Sequence, residues 1–190
     1  MASRWQLPPG AVVTPAVVVD SGTLDGNLRA MADSAAHRGL ALRPHGKTHK
    51  SAGIARRQLA LGAAGLTVAT VGEAEAFAAA GVTDIFIAYP VWADTDRSGR
   101  LRDLAGRIQL SVGVDSAAAV PRLAAALAGA PAQVLVEVDC GLRRSGVLPA
   151  GAGAVAAVAE AAGLQLAGVF TFPGHSYAPG APVPAAGDEA

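Results

Sequence analysis

Short apolar segments alternate with longer segments of mixed polarity along most of the chain. The apolar segments carry few polar interruptions, which is typical of strands buried on both faces of a parallel sheet. We predict strands at Ala11–Asp20, at Leu40–Leu42 leading into basic residues, and at Leu66–Thr70, Asp84–Ala88, Ile108–Val112, Gln133–Val138 and Leu164–Phe170. The mixed segments predict helices at about Thr23–His37, Lys50–Leu61, Gly72–Gly81, Ala93–Leu104, Asp115–Leu127 and Gly151–Ala162. Asp20 or Ser21 is expected to cap the first helix, and Asp115 or Ser116 the fifth.

This alternation predicts an α/β fold with a parallel sheet and covering helices. A doubly wound sheet and a (β/α)8 barrel both fit, but no Gly-x-Gly-x-x-Gly motif follows the early strands, which disfavours a dinucleotide-binding sheet. About five strands follow the one ahead of Lys47, whereas a closed barrel needs eight. Residues 173–190 are rich in Pro, Gly and Ala and are predicted to be a disordered tail, so residues 1–172 form the predicted folded unit.

Basic residues cluster directly after the second apolar segment. In an extended chain Arg43, His45, Lys47 and His49 would share one face, while Gly46 would let the backbone approach a ligand. Such a cluster would favour an anion between the cations and would lower the pKa of a lysine amine, so Lys47 is a candidate nucleophile. The alternative is a solvated basic turn, or a patch that binds phosphate or nucleic acid.

Composition limits these alternatives. The 190 residues contain 15 basic and 15 acidic side chains, so the positive charge is local, and neither nucleic acid nor an anionic membrane is implied as a partner. The single cysteine, Cys140, excludes an intramolecular disulfide and fits a reducing compartment. We find no signal peptide and no apolar segment long enough to span a bilayer, and we therefore expect a cytoplasmic protein.

The sequence RPHGKTHK at residues 43–50 resembles the signature of the D-threonine aldolase and D-serine dehydratase group. These are pyridoxal 5'-phosphate enzymes built on the alanine racemase barrel. The resemblance implies that Lys47 forms a Schiff base with the cofactor. It also implies a partial (β/α)8 barrel of the alanine racemase N-terminal type that lacks the last strands and the C-terminal β-domain. In that family the segment at residues 11–20 would pair with the β-domain, and loops after the last strands would hold the cofactor phosphate.

Two further segments resemble the same family. In Val138–Gly146, Arg144 matches the arginine on the phenolate side of the cofactor, although a glycine-rich turn with solvated arginines is the simpler alternative. In the turn Gly174–Tyr177, His175 and Tyr177 match residues that line the cofactor pocket, and a plain polar turn is again the alternative. Many relatives carry histidine where Phe172 stands. Together with His45, these are our candidate cofactor-binding residues.

Several relatives also use a divalent metal, but their ligands lie in the C-terminal domain. His45 and His49 do not have helical ligand spacing, so we expect no metal site in this chain. The expected function is aldol cleavage of D-3-hydroxy amino acids, or their dehydration and deamination. The expected partner is a small D-amino acid substrate, and the chain could form a homodimer. The alternatives are a non-catalytic pyridoxal-phosphate-binding protein and an inactive fragment.

Overall fold

A computed structural model describes residues 13–177 of the chain. Its strands are β1 (Leu66–Val68), β2 (Asp84–Pro90), β3 (Gln109–Val114), β4 (Ala132–Val138) and β5 (Gln165–Thr171). Its α-helices are α1 (Ser21–His37), α2 (Ala52–Ala60), α3 (Val71–Ala79), α4 (Thr95–Ala105), α5 (Val120–Leu127) and α6 (Pro149–Ala161). Two short 3-10 helices, Gly46–Thr48 and Gly174–Tyr177, stand beside these elements. The predicted helices and the five later strands are therefore confirmed, with shifts of a few residues at their ends.

The strands form one parallel sheet in the order β1-β2-β3-β4-β5. A doubly wound sheet would reverse direction at a switch point, whereas a barrel adds each strand beside the previous one. The described order is therefore that of a barrel wall. The main core lies between the sheet and its helices, where residues such as Leu66, Ile85, Leu110 and Val134 are fully buried.

The opposite face of the sheet is the concave one. Here the ring of Phe170 on β5 meets the ring of Phe86 on β2 edge-on, with ring centroids 4.9 Å apart. A Cβ at Gly113 on β3 would lie 2.9 Å from the Phe170 ring, so a glycine is needed for the ring to cross that strand. These contacts bring non-adjacent strands together and curve the wall.

Side-chain caps set most helix starts. Oδ1 of Asp20 accepts a hydrogen bond from Thr23 N at 2.7 Å, which confirms one of the two predicted caps of α1. The predicted cap of α5 at Asp115 or Ser116 is wrong. That helix begins at Val120 after Ala119, without a side-chain cap, and Pro121 lies in its first turn. Proline is favoured there because it needs no hydrogen-bond acceptor for an N–H.

Two predicted strands near the N-terminus are not strands. Residues 13–20 have no strand conformation, and Val13 and Val17 are 90% and 94% exposed, while residues 11–12 lie outside the described part. The segment at residues 40–45 lies alongside β1. Two hydrogen bonds join them, from Ala64 N to the carbonyl of Leu42 and from Thr67 N to the carbonyl of Pro44, both 2.8 Å. Because Pro44 has no N–H to donate, pairing is limited to a single bridge between His45 and Thr67.

At the other end of the chain, the predicted disordered tail is described only as far as residue 177. The described residues of this segment include the 3-10 helix Gly174–Tyr177. Residues 178–190 lie outside the described part.

Candidate active site

A lysine, an arginine and two aromatic rings meet at the C-terminal edge of the sheet. Nζ of Lys47 lies 5.4 Å from the centroid of the Phe172 ring, and the guanidinium carbon of Arg144 lies 4.7 Å from the same centroid. Arg144 also lies 5.4 Å from the ring centroid of Tyr89, at the end of β2. This edge is where barrel proteins place their chemistry, because the loops that follow the strands converge there.

A tight turn places Lys47. Gly46 is buried, and a Cβ at this position would lie 2.8 Å from Cε2 of Phe77 on α3 and 3.0 Å from Cδ2 of Leu66 on β1. The following 3-10 helix starts where Nδ1 of His45 accepts a hydrogen bond from the backbone N–H of Lys47, at 3.3 Å. Lys50 then adopts a left-handed conformation, with φ of 47°, and donates its N–H to the carbonyl of Gly46 at 2.8 Å. The turn that places the Lys47 side chain therefore packs directly against Phe77 and Leu66, and this close packing requires glycine at position 46.

The expectation that four basic side chains share one face is wrong, because the turn ends the extended conformation at His45. Arg43 makes a bidentate ion pair with Asp84, with distances of 2.7 and 2.9 Å, at the start of β2 and away from Phe172. The His49 ring packs edge-on against Phe77, with centroids 6.1 Å apart. Of the three other basic groups, only His45 contacts Lys47, and it does so through the lysine backbone.

His45 is held as a neutral ring. Burial lowers its pKa, the nearby charge of Lys47 lowers it further, and Glu73 only partly opposes this. Since Nδ1 accepts the hydrogen bond from Lys47 N, the proton of the neutral ring is on Nε2. His45 thus supports the turn and is not a second cation beside the amine.

The sequence contains only two lysines, Lys47 and Lys50. Nζ of Lys50 lies 3.1 Å from Oε1 of Glu73, whose other oxygen accepts the Ala69 N–H at 2.9 Å. Burial by itself would raise the pKa of Glu73, but the hydrogen bonds and charge of these partners lower it. The carboxylate therefore stays charged beside Lys50. Lys47 takes part in none of the ion pairs described within residues 13–177, and its amine faces the Phe172 ring.

A compact loop after β4 places Arg144. Oδ1 of Asp139 accepts the N–H groups of Gly141 and Arg143, at 3.0 and 2.9 Å, and these bonds lower the pKa of Asp139. Arg143 is left-handed, with φ of 57°. The loop then returns along β4, where Val147 N donates to the carbonyl of Glu137 at 2.9 Å. Arg144 lies in this loop, with its guanidinium over the rings of Tyr89 and Phe172.

The turn after β5 fixes the position of the Phe172 ring, which both Lys47 and Arg144 approach. A Cβ at Gly174 would lie 2.6 Å from Cε1 of Phe172 and 3.0 Å from Cδ2 of Leu142, so the ring rests directly on the glycine backbone. His175 follows in the same turn, and its charge contributes to the lowered pKa of Asp139. The turn also contains the backbone of Tyr177, whose side chain lies outside the described part. The geometry thus gathers Lys47, Arg144 and Phe172, with His175 at the side.

Sequence reasoning missed an acidic residue below this group. Glu137 on β4 is 3% exposed, and its Oε1 accepts a hydrogen bond from Oγ of Ser145 at 2.9 Å. Burial raises its pKa, Asp115 and Asp139 add to the increase, and Ser145 and Arg144 oppose it. A signal for it exists in the sequence: Glu137 interrupts an otherwise apolar strand end, where a charge is costly without a role.

Residues 13–177 offer neither a metal cluster nor a membrane-spanning helix. No three His, Cys, Asp or Glu side chains come together there as ligands for a metal ion. Among the same residues, none of the helices has the length and apolar character needed to cross a membrane.

Comparison with known proteins identifies the family. The family model of the alanine racemase N-terminal domain matches residues 19–187. The chain belongs to this family. The prediction of a partial barrel of the alanine racemase N-terminal type is thereby confirmed, since solved structures of the same fold cover 83% and 88% of the chain and 43% and 44% of their own lengths.

Three relatives illustrate the match. An uncharacterized protein of Mycobacterium tuberculosis is 48% identical over 117 residues, which cover 60% of this chain and 68% of that protein. D-threonine aldolase of Arthrobacter sp. is 44% identical over 142 residues, which cover 74% of this chain and 37% of the aldolase. The solved structure of D-threo-3-hydroxyaspartate dehydratase from Delftia sp. HT23 matches with a TM-score of 0.79 at 37% identity, over 88% of this chain and 45% of that enzyme. The chain spans less than half the length of these two enzymes.

Proposed function

We propose that this alanine racemase N-terminal domain protein binds pyridoxal 5'-phosphate through Lys47 and acts as a lyase on D-3-hydroxy amino acids. The observation that supports this proposal is the pair of cationic groups on one aromatic ring. The Lys47 amine and the Arg144 guanidinium lie 5.4 and 4.7 Å from the Phe172 centroid. The amine can react with an aldehyde, and the guanidinium can bind an anionic ring oxygen. Because both groups lie close to a flat apolar ring, the arrangement suits a planar aldehyde that carries an anionic oxygen.

The residues of this chain would have distinct tasks. Lys47 would hold the cofactor aldehyde covalently and release it when the substrate amine takes its place. Arg144 would donate to the ring oxygen, where a charge-assisted hydrogen bond is strong. His45, neutral and bonded to Lys47 N, would keep the turn in place, and His175 and Tyr177 would lie at the edge of the ring. The bound cofactor supplies the electron sink for bond cleavage at the substrate α-carbon. The described residues are assigned no phosphate contact.

The substrate class comes from the relatives. The names D-threonine aldolase and D-threo-3-hydroxyaspartate dehydratase both describe action on D-amino acids with a β-hydroxyl group. Aldol cleavage of D-threonine would give glycine and acetaldehyde, whereas loss of water from D-serine, followed by hydrolysis, would give pyruvate and ammonia. The proposal covers both outcomes.

Turnover by the purified 190-residue chain tests this proposal. The chain is incubated with pyridoxal phosphate and either D-threonine, D-serine or D-threo-3-hydroxyaspartate, and aldehyde, keto acid and ammonia are measured. We expect turnover of at least one substrate, lost in Lys47→Ala and retained in Lys50→Arg. Cofactor bound at Lys47 without turnover of any of the three would reject the lyase and leave a cofactor-binding protein.

A further inference from the structure

A cavity of about 360 Å³ lies between α1, α2 and the turn that places Lys47. Large apolar side chains form most of its wall: Leu28 and Met31 on α1, Leu42 beside β1, and Leu61 at the end of α2. Because α1 buries none of its residues, this surface is only partly covered, and Met31 and Leu61 are 58% and 37% exposed. A mostly apolar cavity of this size is typical of a site for a small organic molecule.

The cavity is separate from the candidate active site. Two residues of the lysine turn, His45 and Thr48, line one side of it, but Lys47, Arg144 and Phe172 do not. The hydroxyl of Thr48 donates to the carbonyl of His45 at 3.2 Å, so this donor is already in use within the turn. The inner part of the cavity therefore suits an apolar group better than a charged one.

Charged groups lie next to the apolar cavity. A second space, of about 350 Å³, shares Leu61 with the cavity and is lined by Asp25, Arg29 and Arg57, among others. Nη1 of Arg57 lies 2.9 Å from Oδ1 of Asp25. Arg29 takes part in none of the ion pairs described within residues 13–177. Two guanidinium groups and one carboxylate thus leave one excess positive charge beside the cavity.

We infer that the cleft between α1 and α2 binds a small carboxylate that carries an alkyl chain. The carboxylate lies against Arg29 and Arg57, whose planar guanidinium groups suit a pair of oxygens. The alkyl chain fills the cavity beside Leu28 and Met31 and is removed from water there. Methionine suits such a wall because its unbranched side chain adapts to irregular shapes. This binding site goes beyond the proposed function and does not depend on it.

Isothermal titration calorimetry of the full 190-residue chain tests the site, with sodium octanoate as the probe and without pyridoxal phosphate. We expect octanoate to bind about 5-fold more tightly than 1-octanol, because charge pairs at exposed arginines contribute modestly. Hexanoate should bind about 10-fold more weakly than octanoate, because it buries two methylene groups fewer. Acetate, which has the charge without the chain, should show no measurable binding.

Paired variants locate the two ends of the ligand. Arg29→Gln should weaken octanoate binding about 5-fold, to the level of 1-octanol, and leave 1-octanol unchanged. Its control is Arg56→Gln, at an exposed position on α2 outside both spaces. Ala32 lines the cavity, so Ala32→Leu should weaken both probes about 10-fold by taking up the space of the chain. Its control is Ala36→Leu, exposed on the same helix and outside the cavity.

Several results would overturn the inference. One is octanoate binding that is absent or no tighter than that of 1-octanol. Another is an equal loss of affinity in Arg29→Gln and Arg56→Gln, or an unchanged affinity in Ala32→Leu, since the probe would then bind elsewhere. Circular dichroism shows whether each variant folds. If Ala32→Leu does not fold, the comparison of octanoate with hexanoate decides, and a difference below about 2-fold would mean that the alkyl chain is not buried.

Discussion

Replacing Gly46 with alanine tests how the turn at Lys47 is built. The added Cβ would lie 2.8 and 2.9 Å from two ring carbons of Phe77 and 3.0 Å from Cδ2 of Leu66. Both neighbours are buried, at 4% and 0% exposure, and neither can rotate into solvent. Overpacking of this kind costs about 1–3 kcal/mol. For a chain of this size, that corresponds to a melting temperature lower by about 2–12 °C.

Gly153→Ala is the matched control. Gly153 lies in α6, is exposed, and has no heavy atom within 4 Å of its added Cβ. Alanine in a helix should stabilise the protein by about 0.5–1 kcal/mol relative to glycine. Thermal unfolding followed by circular dichroism measures both variants under the same conditions. A Gly46→Ala protein that melts at or above the wild-type temperature would refute the close packing on which the position of Lys47 depends.

Three further predictions concern charges and caps. Asp84→Asn should destabilise the chain by about 1–2 kcal/mol in urea unfolding, because Arg43 loses its bidentate partner while partly buried; a change below about 0.3 kcal/mol would contradict this. Glu137→Gln should stabilise the cofactor-free protein by about 1 kcal/mol at pH 8, and the gain should shrink as the pH falls toward 4. The reason is that the raised pKa of Glu137 makes the wild type lose stability as the pH rises through that pKa; a gain independent of pH would contradict this. Asp20→Ala should reduce helical ellipticity with little change in the main melting transition, because α1 buries none of its residues; a drop of about 5 °C would show that α1 is coupled to the core.

Much of the fold follows from the sequence because its strands are short and apolar and its helices end at glycines. The strand at Asp84–Pro90 and the helix after Asp94 are positioned by these signals and appear where the sequence predicts them. The errors lie where apolar residues do not become part of the sheet. Val13 and Val17 are β-branched but exposed, and Pro44 interrupts pairing beside β1, so hydrophobicity alone predicts too much strand.

The site was predicted in part. Lys47 was predicted from the basic cluster and again from the resemblance to a family, whereas Arg144 came from the resemblance alone, and the structure brings both to one ring. The predicted shared face of basic residues failed because a 3-10 turn replaces the extended chain, and a sequence pattern cannot distinguish these conformations around Gly46. Glu137 was missed although its charge interrupts an apolar strand end, because its buried oxygen without a hydrogen-bond partner among the described residues is a property of packing that only the structure shows.

The most direct test of the central claim is reduction of the purified chain with borohydride in the presence of pyridoxal phosphate, followed by peptide mass mapping. The chain provides its own control, because Lys50 is the only other lysine and is paired with Glu73 at 3.1 Å. We predict a phosphopyridoxyl adduct at Lys47, little at Lys50, and none at residue 47 in Lys47→Ala. Equal labelling of Lys47 and Lys50, or no labelling of either, would contradict a cofactor site built around Lys47.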